Sequence, residues 1–362
     1  MRILLVSHPP LRPEFGAAQL AIELAAALCE RGHDAVPWSP EPLPGGGHLG
    51  GFYKIQRRAI ERHLAAAGPF DAVDLPALSV SSAVSAASFV VARSIQPDLL
   101  YLAADLRAGV ALRPPSPALA LEAARALRLA AAFRSGLRRA DLVLCLGGLE
   151  RRWMARRFPR LGPKLAAYVA ALGKTDRAAL AEVRARRQPR EAEHGIRFLW
   201  LGRWVAHKGP RLLLDWAAGL TRSERRDTLT IAGCGPLPLD GVLGELAAAG
   251  RLRIVERYAR AELPDLLAAH DVGLFTSVAE GWGLSLHEMI ESGMPVYATP
   301  AGGVPDLAEA LPKTVRPFPP PDRIAPSDLA IDDLASGGYF ERFSWTRIAE
   351  DYERVLAERL SR

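Results

Sequence analysis

The stretch Arg197-Phe198-Leu199-Trp200-Leu201-Gly202-Arg203-Trp204-Val205-Ala206-His207-Lys208-Gly209-Pro210 sets the fold. Arg197 to Leu201 reads as a strand, almost wholly apolar, as expected of one buried on both faces. A glycine stops it, two cations follow, and a helix begins at Pro210 and runs to Leu220. The same unit then repeats. Strands are expected at 228–232, 252–255, 272–276 and 296–299, alternating with helices at 239–249, 263–270 and 284–292. Strand and helix in strict alternation predict a mostly parallel sheet.

The earlier part of the chain reads the same way. Arg2 to Ser7 is a strand, 17–31 a helix ended by Gly32, and 34–38 a strand. A Pro- and Gly-rich loop at 40–51 leads to a basic helix at 52–66 and a small-residue helix at about 78–94. Leu99 to Ala103 is expected as a strand, 117–138 as a helix, 142–146 as a strand and 149–157 as a basic helix. The polar, Arg-rich segment 174–194 reads as a boundary, and 346–360 as a closing amphipathic helix. The domains expected are 1–173 and 195–340, joined by 174–194, with 341–362 packing back on the first. In such a pair the ligand site is expected in the cleft between the domains, at the carboxyl ends of the strands.

At 362 residues, with 49% hydrophobic and 24% charged residues, two cores are the natural expectation. The run Ile3-Leu4-Leu5-Val6 is too short for the apolar part of a secretory signal, so a cytoplasmic location is expected. The longest uncharged stretch, Leu75 to Ala92, holds five serines and a proline and is a poor membrane span. Three widely spaced cysteines, Cys29, Cys145 and Cys234, suggest neither a disulfide framework nor a metal site. The net charge of +6 is unevenly placed: Arg134 to Lys164 holds nine Lys/Arg against Asp141 and Glu150. Lys54, Arg57, Arg58 and Arg62 form a second basic segment. A solvated Arg-rich surface accounts for this pattern, as does attraction to anionic headgroups on the inner face of a membrane. No aromatic-interleaved basic strand points to nucleic acid.

Glu280-Gly281-Trp282-Gly283-Leu284-Ser285-Leu286-His287-Glu288 places two carboxylates eight residues apart around a glycine loop and a helix start. Such a loop lets backbone N–H groups approach a phosphate, and carboxylates on either side suit hydroxyl groups. Arg203 and Lys208 can neutralise a diphosphate and support its departure. Read singly, each feature is also explained by exposed charges on a turn or an ordinary helical Glu.

Taken together, Gly202-Arg203-(four residues)-Lys208-Gly209 and Glu280-(seven residues)-Glu288 resemble the retaining glycosyltransferases of family 4. Gly233-x-Gly235-Pro236, Pro295 to Thr299, Gly302-Gly303-Val304-Pro305-Asp306 and Phe343-Ser344-Trp345 follow in the family's order, so the resemblance spans nearly the whole chain. It implies the α/β GT-B fold, two Rossmann-like doubly wound domains facing a cleft. Function is then expected to be transfer of a sugar from a nucleoside-diphosphate sugar to a glycan or lipid-linked acceptor. Arg203 and Lys208 would bind the diphosphate, Glu288 the ribose and Glu280 a hydroxyl of the sugar. The backbone of Gly281, Trp282, Gly283 and Leu284, and Gly16 of the loop after the first strand, would complete the donor site. Catalysis is expected to depend on Arg203, Lys208 and Glu280, with no metal and no other cofactor.

The first domain departs from the family pattern. Gly16-Ala17 stands for paired glycines, Ala103-Ala104-Asp105 for a histidine, and Gly147-Gly148 for a serine. His8 and Asp105 are the acceptor-binding candidates there. Two other readings remain at this stage: a weakly active family member acting as a partner or regulator, and a GT-B nucleotide-sugar epimerase.

Overall fold

A computed structural model of the chain describes residues 1–12, 15–40, 49–95, 98–112, 116–187, 195–335 and 337–361. Two compact units emerge, Met1–Ala170 with Glu341–Arg362, and Ala171–Phe340.

The first unit contains β1 (Arg2–Val6), α1 (Gly16–Glu30), β2 (Asp34–Trp38), α2 (Leu49–Ala67), β3 (Ala72–Leu75), α3 (Ser82–Ala87) and β4 (Phe89–Arg93). Then come α4 (Asp98–Leu112), α5 (Pro117–Arg139), β5 (Leu142–Leu146), α6 (Gly147–Arg157) and β6 (Leu165–Tyr168). Its six strands are parallel in the order β2-β1-β3-β4-β5-β6. The chain steps from β1 out to β2, then crosses back to β3 on the other side of β1. The strand order therefore reverses at β1 and β3, and in such sheets ligands gather outside the carboxyl ends at that point.

The second unit contains α7 (Lys174–Arg186), β7 (Arg197–Leu201), α8 (Pro210–Arg222), β8 (Thr228–Ala232), α9 (Gly241–Ala248), β9 (Leu252–Val255) and α10 (Leu263–Ala268). It continues with β10 (Val272–Phe275), α11 (Leu284–Glu291), β11 (Val296–Ala298), α12 (Val304–Ala310) and β12 (Val315–Pro317). The order β12-β11-β10-β7-β8-β9 is again parallel and reverses between β7 and β10. The short α13 (Tyr339–Arg342) leads to α14 (Trp345–Leu360), which returns to the first unit. There Arg31, just past the end of α1, pairs with Glu353 at 2.6 Å and Glu350 at 3.2 Å.

Several expected elements differ. Leu99 to Ala103 lies within helix α4, not a strand. The strand between β3 and β5 is instead β4, which follows the short helix α3 inside the stretch read as one long helix. The 72–75 strand was hidden because Asp74 interrupts its apolar pattern. Asp74 is fully buried and pairs with Arg93 of the neighbouring strand, Nε to Oδ1 at 2.7 Å. The basic helix expected at 52–66, a candidate for an anionic membrane surface, is α2, and its apolar face packs inward. Ile60 is buried in the first core, and buried Gln56 accepts from Ser79 Oγ at 2.9 Å. The remaining cations Lys54, Arg58 and Arg62 are exposed.

Residues 174–186, read as part of a linker, form α7 of the second unit. The arginines at its end are not a solvated face. Arg187 donates to the carbonyls of Leu267 at 2.9 Å, His270 at 2.7 Å and Ser292 at 3.0 Å. These close the C-termini of α10 and α11, where the last-turn carbonyls otherwise lack donors.

Candidate active site

The second unit brings the expected donor residues to the switch point of its sheet. β7 ends at Leu201 and passes directly to Arg203 and Lys208, while β10 ends at Phe275 and passes to Thr276, Ser277 and Glu280. The two loops are sewn together. Trp200 Nε1 donates to Thr276 Oγ1 at 2.9 Å, and Thr276 Oγ1 donates to the Lys208 carbonyl at 2.9 Å. Gly209 makes this join possible. It sits at φ +66°, and a Cβ there would lie 1.9 Å from the Thr276 carbonyl oxygen. Gly209→Ala is therefore expected to destabilise by about 2–3 kcal/mol, the left-handed strain plus the forced shift of Thr276. Urea unfolding checks it, and the nucleotide affinity should fall with it.

Lys208 Nζ is hydrogen-bonded to Glu280 Oε2, with the two side chains 16% and 10% exposed. Ser277 Oγ donates to the same Glu280 oxygen at 3.0 Å, and the Gly281 N–H to the other at 3.2 Å. Arg203 is exposed and has no carboxylate partner among the described residues. One cation of the expected pair is thus engaged and the other uncommitted. Gly283, at φ +92°, precedes α11, whose first N–H groups face the same loop.

Glu288 is buried on α11 and bonded to Arg260, which also holds Asp176 at 2.8 Å. Burial raises the Glu288 carboxyl, and Arg260 opposes that rise. Tyr258 senses the same charge: burial and then Glu288 push it up to about 12. Sequence reasoning missed Arg260 and Asp176. Neither sits in a recognisable motif, and Asp176 comes from the segment read as a linker.

Trp282 is 2% exposed and packs beneath the loop. Gly303 lies against its face, where a Cβ would come within 2.7 Å of the ring. The Trp282 indole N–H donates to His287 Nε2. An indole can only donate, so this histidine nitrogen carries no proton. His287 Nδ1 then donates to Tyr339 Oη at 2.6 Å, and Tyr339 donates to Glu291 Oε1 at 3.3 Å. Arg177 of α7 closes the chain, reaching Glu291 at 2.8 and 3.0 Å.

Burial, and then the Arg177 charge, lowers the His287 pKa from 6.5 to about 3. The folded protein therefore favours the neutral ring. Its contribution is full above pH 6.5 and is lost as pH falls toward 3. Relative to His287→Asn, wild-type stability should fall by about 2 kcal/mol between pH 7 and 5, measured by urea unfolding at both values.

In the first unit, Gly16 opens α1, and half-buried His8 follows β1 at the switch point of that sheet. Burial lowers the His8 pKa to about 4, so the ring is neutral at pH 7. The side chain of Asp105 falls outside the described residues, although its backbone lies in α4. Glu150 was not singled out from sequence. It is buried in the first turn of α6, where it accepts from Ser94 Oγ at 2.8 Å and the Leu146 N–H at 2.6 Å. Burial raises its carboxyl to about 7.

Residues 195–324 match the family described as Glycosyl transferases group 1. D-inositol 3-phosphate glycosyltransferase of Corynebacterium aurimucosum is 26% identical over 204 residues, which are 49% of this chain and 47% of that protein. The chain spans about half the length of the curated relatives it matches. Among solved structures, Anabaena HepE in complex with UDP and glucose superposes with a TM-score of 0.59 at 15% identity, covering 99% of this chain and 100% of that one. The catalytic domain of Arabidopsis thaliana starch synthase IV, bound to ADP and acarbose, gives 0.63 at 11% identity over 100% of both chains. The chain has the α/β GT-B fold of these glycosyltransferases, and its residues 195–324 carry the group 1 signature.

Proposed function

We propose that the protein is a retaining glycosyltransferase, transferring a sugar from a nucleoside-diphosphate sugar to a glycan or lipid-linked acceptor. The observation that carries this reading is the Lys208–Glu280 pair at the strand-order reversal, beside the Gly281–Leu284 loop and exposed Arg203. In this reading Lys208 and Arg203 hold the diphosphate and stabilise it as it leaves. Backbone N–H groups of Gly281 to Leu284 approach phosphate and sugar, with Trp282 supporting them from beneath. Glu280, released from Lys208, accepts a hydroxyl of the sugar, and Glu288, held by Arg260, accepts from the ribose. Glu280 is fixed by a cation, a hydroxyl and an amide. All three partners donate to its oxygens, which supports acceptance of a sugar hydroxyl over a general-acid role. The two cations supply the charge that a metal ion would otherwise bring.

Relatives of known structure support a nucleotide-sugar donor: Anabaena HepE binds UDP and glucose, and starch synthase IV binds ADP. His8 and Gly16, at the reversal point of the first sheet, are the proposed contacts of that unit. No helix among the described residues is long and apolar enough to cross a membrane. Contact with an anionic surface through α2 would rest on its exposed cations alone.

Calorimetric titration with UDP-, GDP- and ADP-sugars tests the reading. One of them should bind, and Lys208→Ala should abolish the heat. Absence of binding by every member of the panel would overturn it. Product analysis with the donor that binds separates transfer from epimerisation, and the absence of any turnover would favour a regulatory partner.

A further inference from the structure

The basic run Arg134 to Lys164 plays no part in the donor site, and the structure gives it a shape. A groove of about 500 Å³ in the first unit is lined by Arg134, Arg138, Arg157, Arg160 and Lys164 around Phe158. No acidic residue lines it. The four arginines are exposed, and none has a carboxylate within salt-bridge distance among the described residues. By contrast, Arg31, Arg93, Arg177, Arg197, Arg260 and Arg316 each have an acidic partner.

The cations are also held in place. The guanidinium carbons of Arg134 and Arg157 lie 5.5 and 5.4 Å from the centre of the Phe158 ring. Stacking on an aromatic face fixes the guanidinium plane and leaves its N–H edges free. Lys164 Nζ is tied to the carbonyls of Ala140 at 2.6 Å and Arg138 at 3.2 Å. Charges that simply complemented the ends of α5 and α6 would belong to those helices. Lys164 caps the end of α5 in this way, whereas Arg160, in the 3-10 turn Pro159–Lys164, belongs to neither helix.

The place in the fold is equally informative. α5 leads into β5, and the 3-10 turn leads into β6, so the groove lies at the amino ends of these parallel strands. His8 and Glu150 follow strand carboxyl ends, on the opposite edge of the same sheet.

We propose that this groove is a second anion-binding site, for a group carrying at least two phosphoryl charges. Planar guanidinium forks match phosphate oxygens, and five cations without counter-ions repel one another until an anion enters. The chemistry is shared by a soluble polyphosphate ester and by clustered phospholipid headgroups. An exposed leucine, Leu127, lies seven residues before Arg134 and eleven before Arg138, on one stripe of α5.

The test uses the full chain carrying Arg203→Gln and Lys208→Gln, so that the proposed donor site takes up no phosphate. Inorganic tripolyphosphate is titrated by calorimetry at low salt, and vesicles of equal phosphatidylglycerol and phosphatidylcholine are used for flotation. One tripolyphosphate per chain should bind. Arg134→Gln/Arg157→Gln/Arg160→Gln should weaken it at least tenfold, and Arg160→Glu alone should do the same without touching either helix. Flotation that tripolyphosphate competes away assigns the lipid source. Tripolyphosphate binding without flotation assigns the soluble one. Absence of both, or binding unchanged in the groove variants, overturns the proposal.

Discussion

Lys208→Ala should lower kcat/KM for the donor by about 10²–10³, or roughly 3–4 kcal/mol of transition-state stabilisation. The ammonium is mostly shielded from water, so its charge acts at close range with little screening. A diphosphate leaving group gathers negative charge as the glycosidic bond breaks, and Lys208 is the fixed cation at the reversal point. Arg203→Ala should cost less, about tenfold, because that side chain is exposed and must be ordered on binding. A companion variant discriminates sharply. In the resting site Glu280 already occupies Lys208, so it competes with the incoming phosphate. Glu280→Gln should therefore bind the bare nucleoside diphosphate more tightly than wild type while transferring sugar more slowly. Calorimetry and steady-state donor consumption measure the two effects. A Glu280→Gln protein that lost nucleotide affinity as severely as Lys208→Ala would show that the pair does not compete.

The second large effect is on stability. Arg93→Leu should cost about 3–5 kcal/mol at neutral pH, because it strands a carboxylate in the first core. Asp74 is fully buried, and burial raises its pKa against the pull of Arg93. Without Arg93 the folded state favours protonated Asp74. That contribution is present below the ordinary aspartate pKa and lost as pH rises through the raised one. The deficit relative to wild type should therefore shrink on acidification. Asp74→Asn in the same background should recover part of it at neutral pH. Urea unfolding of the three proteins at two pH values checks all of this. Tyr352 of α14 lies close to the pair, and burial followed by Asp74 raises its pKa well above the usual range. Arg93→Leu should accordingly loosen the C-terminal helix as well.

The second unit was largely legible in its sequence. Its strands are mostly apolar and its loops carry glycines at the turns, so β7 to β11 could be placed to within a residue or two. Arg203, Lys208, Glu280 and Glu288 were legible because they sit at fixed spacings from those strands. What could not be read were pairings made across the fold. Arg260 meets Glu288 and Asp176 only when β9, α7 and α11 come together, and no local pattern encodes that. The first unit was harder for a related reason. A buried ion pair put a charge into β3, and the small residues of α3 ran without a break into β4. α4 has an apolar stretch whose composition suits either a strand or a helix. The arginines in and just after α7 misled in the opposite direction. Composition suggested solvent, whereas Arg177, Arg184 and Arg187 satisfy a carboxylate and helix-end carbonyls.

The hydrogen-bonded chain from Trp282 through His287 and Tyr339 to Glu291 and Arg177 has a consequence for motion. Its members come from the Gly281–Leu284 loop, from α11, from the end of the unit at α13 and from its beginning at α7. Both points where the chain enters and leaves the unit are thereby tied to one buried imidazole. Fraying at either end must break the same links that support the loop, so these segments should open as one cooperative block. Hydrogen exchange at the Trp282 indole, in α7 and around Tyr339 is expected to share a single opening free energy.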